Sequence, residues 1–127
     1  MINNFLIIKC IGNDDKLGLR INKDFFIRNL VERKNKNNDL VPELIDFLNT
    51  HQAKLDHSFT VIVNQGPGSF SAIRISIAVA KGLEIARNIK LFGYRENDLE
   101  EFSQENVEKL LSQNLIEKKL IKPIYFS

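Results

Sequence analysis

A chain of 127 residues with 43% hydrophobic content can bury one core, roughly two thirds of its unfolded surface, and leaves no material for a second folded domain. A net charge of +2 with 27% charged residues supplies no basic excess, which argues against strong nucleic-acid affinity by this chain alone. Cys10 has no internal partner for a disulfide, no cationic leader opens the sequence, and no apolar stretch approaches the ~20 residues of a membrane span, so a soluble cytoplasmic protein with an inert thiol is expected.

Phe5 to Ile11 is a short β-branched run, Leu17 to Ile21 alternates, and Asp24 to Val31 carries Phe25, Phe26 and Ile27. The turn residues Gly12-Asn13-Asp14 and Asn22-Lys23 separate them, which predicts a three-stranded antiparallel meander. Glu32 to Asn38 is uniformly polar and predicts a solvated loop. Asp39 can then cap a helix running to about Gln52, with Pro42 in its first turn and Leu40, Val41, Leu44, Ile45 and Leu48 at helical spacing; Phe47 widens the stripe. Phe59 to Val63 is a continuous apolar run of the kind a central strand covered on both faces requires.

The chain breaks on Gly66-Pro67-Gly68-Ser69 and reopens as a helix from Phe70 to about Arg87, followed by a short strand from Leu91 to Tyr94. Asp98-Leu-Glu-Glu101 has capping-box spacing and predicts a last helix through Val107, Leu110 and Leu111. The resulting order, β-β-β-α-β-α-β-α, belongs to one α/β domain with a mixed five-stranded sheet and three helices, the order of a ribonuclease-H-like lobe. Residues 1–127 are read as a single lobe, with about 1–95 as its core and 96–127 as a C-terminal helix and tail.

Two readings of Gly66, Pro67, Gly68 and Ser69 stay open. Unpaired amides and the macrodipole make a helix start an anion site, and Ser69 can cap it, so the four residues are candidates for nucleotide contact. They contain neither the GK[ST] of a Walker loop nor GxGxxG spacing, so the alternative is a purely structural tight turn.

The helix from Phe70 to Arg87 has only a narrow polar stripe of Arg74, Lys81, Glu84 and Asn88. Ala72, Ser76 and Ala80 form a small-residue groove beside Ile73 and Ile77, through which another helix could approach closely. The helix is either buried within its own domain or completed by a partner. So short a chain has little material to cover a second face, and Leu44, Phe47, Leu48, Ala72, Ile73, Ser76, Ile77 and Ala80 are therefore the predicted partner interface. His51 and His57 are isolated from other ligands, no metal site is expected, and no catalytic set is complete.

Residues 66–83, GPGSFSAIRISIAVAKGL, closely resemble the GPGSFTGLRIGIATAKGLA signature of the TsaB (YeaZ) family of tRNA threonylcarbamoyladenosine biosynthesis proteins. The stretch from Asn38 to Leu48 also looks like that family's LLPLIDELL helix. The resemblance covers about residues 1–95. It implies one lobe of the actin-like, Hsp70-like ATPase fold and a non-catalytic role beside a TsaD-like ligase, with a TsaE-like ATPase as third component. It further implies that threonylcarbamoyl is transferred to adenosine 37 of tRNA by the complex, so that tRNA meets this chain only through the assembly. The two family helices that pack on the ligase correspond to Asp39–Gln52 and Phe70–Arg87. A homodimer through the same face is the expectation when the ligase is absent.

Departures from the family pattern carry their own expectations. Where the family has an IDTS-type strand and turn facing nucleotide, this chain reads Ile7-Ile-Lys-Cys-Ile-Gly12, without the acidic residue, and Ala72 and Ser76 replace family glycines. Lys122-Pro-Ile-Tyr-Phe126 looks like the PLYLR-type motif near the family's C-terminus, as though a second lobe were missing from the interior. No cofactor is expected, with ATP or ADP at a partner interface as the alternative. The rival readings are a nucleotide-binding, ATPase-like enzyme using the GPGS helix start, and a peptidase, for which neither metal ligands nor a catalytic dyad are present.

Overall fold

Period-two alternation organises the sheet. The computed structural model describes residues 4–30, 36–113, 116 and 121–124. Strands β1 (Phe5–Lys9), β2 (Lys16–Ile21) and β3 (Asp24–Asn29) form the antiparallel meander, and β4 (Thr60–Asn64) and β5 (Lys90–Tyr94) join in parallel on the other side of β1. The order across the sheet is β3-β2-β1-β4-β5. Asn22 and Lys23 both take positive φ, which is what a two-residue hairpin matched to right-handed strand twist needs.

Successive side chains of a strand point to opposite faces, and both faces here are covered. Leu6, Ile8, Val61, Val63 and Leu91 face one side, where helices α1 (Lys36–Thr50) and α2 (Phe70–Arg87) contribute Leu40, Leu44, Phe47, Ile73, Ile77 and Ala80 to the same core. Phe5, Ile7, Ile62 and Tyr94 face the other side against Leu99 and against Val107 and Leu110 of helix α3 (Gln104–Ser112). This explains why β4 reads as an unbroken apolar run. Gly18 of β2 stands opposite Ile7, and a methyl group there would meet Ile7 and the rings of Phe25 and Phe102.

Several boundaries differ from the sequence reading. Strand β1 ends at Lys9 because Cys10 and Ile11 turn away into the next loop, and β3 ends at Asn29, Val31 lying outside the described residues. Helix α1 begins at Lys36, so Asp39 is inside it rather than its cap, residues 36–38 of the expected polar loop are helical, and residues 32–35 lie outside the described residues. Pro42 is consequently interior, and its missing N–H leaves the Asn38 carbonyl without its usual helical donor. The helix stops at Thr50, short of Gln52.

The capping box at Asp98–Glu101 does not form. Glu96–Asp98 is a single 3-10 turn, and Leu99 is buried with an extended backbone, which prevents a helix from starting there. Ser103 caps α3 instead, its side chain accepting the Asn106 amide.

Side-chain ties not visible in the periodicity lock the layers together. Arg28 of β3 reaches Asp46 of α1 at 2.6 Å and lies 5.1 Å from the Phe47 ring centroid. His51 stacks on Phe26 at 3.9 Å and meets Phe47 edge-on, so its ring serves as packing between β3 and α1.

Candidate docking face and strand-end turn

Two separate features carry the candidate sites, the outer faces of α1 and α2 and the loops at the carboxyl ends of the parallel strands. The inward face of α2 is set by Ile73, Ser76, Ile77 and Ala80, all buried, at one-face helical spacing. Ser76 returns its hydroxyl to the Ile73 carbonyl and so needs no outside partner. Leu44 and Phe47 of α1 are buried beside them, and Leu48 and Ala72 are half-buried.

The predicted interface of Leu44, Phe47, Leu48, Ala72, Ile73, Ser76, Ile77 and Ala80 is therefore corrected: six of its eight members belong to the lobe's own core. The small residues at 76 and 80 let α2 settle closely within the lobe, not against another protein. The surface these helices present outward is different, and it mixes apolar residues with the charged Asp46, Arg74, Lys81, Glu84 and Arg87. Val41 and Ile45 of α1 are 46% and 53% exposed, and Phe70 and Ile85 of α2 are 57% and 85% exposed. Ser71, Ala78, Gly82 and Ala86 are exposed on the same helix, and Arg74 lies 4.9 Å from the Phe70 ring centroid. Since both faces of α2 are rich in apolar and small residues, periodicity could not tell inner from outer.

The GPGS residues are brought together where β4 hands over to α2. Gly66 takes φ +102°, which a side chain would resist, and the Gly66–Pro67 peptide is cis. The Gly66 N–H donates to the Asn64 carboxamide oxygen at 2.7 Å, and the Gly66 carbonyl accepts the Glu96 amide at 2.9 Å. Ser69 stands at the N-cap of α2 with extended backbone, but its hydroxyl makes no capping bond, contrary to expectation. Its amide donates instead to the Ile11 carbonyl at 2.6 Å.

The β1–β2 loop, where an IDTS-type turn would place its polar residues, is held by Asp15. One carboxylate oxygen accepts the amides of Ile11, Gly12 and Asn13 at 2.9, 3.0 and 3.1 Å. Sequence comparison with an IDTS pattern missed this residue because it lies four positions after Ile11 and acts on backbone amides. Beneath the turn, Asn64 donates to Glu96 at 2.9 Å and to the Tyr94 hydroxyl at 3.3 Å. Burial pushes the Tyr94 hydroxyl well above its usual range, the Asn64 bond opposing this, and burial likewise pushes up the Cys10 thiol, with the Asp15 charge adding to it. Among the described residues no three His, Cys, Asp or Glu side chains gather as a metal site would require, and no helix is long and apolar enough to cross a membrane.

An antiparallel meander continued by parallel strands, with α1 and α2 on one face and α3 on the other, defines a ribonuclease-H-like lobe of the actin-like fold. In structure the chain is similar to YeaZ from Pseudomonas aeruginosa, with a TM-score of 0.69 and 18% identity over 88% of this chain and 50% of that one. It is also similar to a protein described as uncharacterized with similarity to the peptidase YeaZ from P. aeruginosa, with a TM-score of 0.66 and 20% identity over 73% of this chain and 43% of that one. In sequence it is 31% identical over 62 residues to the tRNA threonylcarbamoyladenosine biosynthesis protein TsaB of Buchnera aphidicola, 46% of this chain and 28% of that protein. No family model matches the chain. The chain resembles the TsaB (YeaZ) family in sequence and in fold, and it spans about half the length of YeaZ and less than a third of the TsaB relative.

Proposed function

We propose that this lobe is a non-catalytic docking subunit in tRNA N6-threonylcarbamoyladenosine modification, acting through a TsaD-like ligase. The outward surfaces of α1 and α2 are the contact face. The observation that carries this reading is the exposure of Val41, Ile45, Phe70 and Ile85 on two helices of one layer, in a chain that resembles TsaB. Val41 and Ile45 lie one turn apart on α1, and Phe70 and Ile85 stand near the two ends of α2 with the exposed small residues Ala78 and Gly82 between them along the helix. Exposed apolar side chains favour burial against a partner, and small residues permit close helix approach. A TsaE-like ATPase would join the same assembly, tRNA would be met through the complex, and the setting would be the cytoplasm. In the absence of the ligase the same face would pair two copies.

Co-expression with the host's TsaD-like protein tests the reading. Ile45→Asp and Ile85→Asp are expected to abolish co-purification while circular dichroism and thermal midpoint stay near wild type, because both side chains lie outside the core. Undiminished complex formation by both variants would refute the docking assignment.

A further inference from the structure

In open α/β sheets, ligands enter the crevice beyond the carboxyl ends of the parallel strands. Here the β1–β2 loop, the GPGS turn and the loop after β5 meet at those strand ends, tied by the Ser69-to-Ile11 and Glu96-to-Gly66 hydrogen bonds, and a fourth segment pairs with the turn. Residues 121–124 run along the turn: the Ile124 amide donates to the Gln65 carbonyl at 2.7 Å, and the Gln65 side-chain nitrogen donates to the Lys122 carbonyl at 3.1 Å. Contact with Gly66 is so close that a methyl group on that residue would lie 2.5 Å from the Ile124 carbonyl oxygen. Ile121 is buried in the core under α1 and α2, while Ile116, five positions earlier, packs on the opposite cluster, so the segment is anchored at one end by the hydrophobic core. On the other side of the same crevice the amides of Ile11, Gly12 and Asn13 already hold the Asp15 carboxylate.

We propose that residues 121–124 are a built-in strap that closes the strand-end crevice, so that this lobe completes the site with its own chain and takes no nucleotide or other phosphate ligand there. Backbone pairing on both sides of the turn replaces what a bound ligand would supply, and the turn is held without one. The inference concerns the crevice alone and stands whether or not the helical face meets a partner.

The test uses the full chain. Hydrogen exchange should find the Ile124 amide slowed by at least ~100-fold relative to an unprotected amide. Calorimetry with magnesium ATP, and separately with pyrophosphate, should show no binding tighter than about 1 mM. Ile124→Pro, which removes the strap's amide donor together with the half-buried side chain and fixes the backbone there, should speed exchange at Gln65 and Ser69 by about tenfold or more. Ile124→Ala, which keeps the donor, should change it less, with Ile7 in β1 unchanged in both. An unprotected Ile124 amide, submillimolar binding of either ligand to the intact chain, or an Ile124→Pro variant with unaltered exchange around the turn would each overturn the proposal.

Discussion

Gly12 and Ser69 stand back to back across the strand-end loops: a methyl group on Gly12 would lie 2.5 Å from the Ser69 Cβ, and Gly12 itself takes φ +93°. Gly68 makes the reciprocal approach, where a methyl group would lie 2.6 Å from the Ile11 Cβ. These contacts, with the Ser69 to Ile11 hydrogen bond, fix the start of α2 on the end of β1. The glycines of the turn therefore work as spacers between two loops.

Gly12→Ala is expected to destabilise the lobe by about 2–4 kcal/mol, combining left-handed backbone strain with overpacking against Ser69. Urea denaturation followed by circular dichroism measures it. A loss below about 0.5 kcal/mol, the range of an unremarkable surface change, would show that the two loops do not meet this closely.

The start of α3 offers a comparison between two candidate caps. Ser103→Ala should cost about 1 kcal/mol, because the side chain accepts the Asn106 amide at 3.3 Å. Asp98→Ala should stay within about 0.5 kcal/mol, since Asp98 ends a separate 3-10 turn and is exposed. Equal losses, or a larger one at Asp98, would restore the capping box that the sequence spacing suggests.

Stability should fall at alkaline pH. Cys10 and Tyr94 are buried with raised pKa values, so above the unfolded-state values of about 8.5 and about 10 the unfolded chain releases protons that the native chain keeps. Stability is then complete below about pH 8 and declines by up to about 1.4 kcal/mol per pH unit for each group as pH rises. Chemical denaturation between pH 7 and pH 11 checks this, with Tyr94→Phe flattening the upper part of the decline. A profile that stays level to pH 11 in the native sequence would contradict it.

Much of the fold was legible because its signals are local. The alternation of Leu17 to Ile21, the unbroken apolar run into β4 and the glycine-proline break before Phe70 each follow from neighbours in sequence, and each sits where expected within a residue or two. The bounds of α2 were readable for the same reason. Asp39 and Asp98 misled as caps because helix starts also depend on what the flanking chain packs against, as Leu99 in its buried extended stretch shows.

By itself the sequence determined the order of strands and helices, the glycine-dependent turn at 66–69 and a surplus of apolar helix surface, because propensity, turn chemistry and periodicity act over a few residues. Only the tertiary structure decided which side of α2 is core, since Ile73 and Ile77 differ from Ile85 solely in their direction relative to a sheet formed by distant strands. Tertiary structure also decided that Asp15 serves the Ile11 and Gly12 amides and that Ile124 meets Gln65. The latter pairing joins positions that no helical or strand period relates, so it exists only once the core has brought them together.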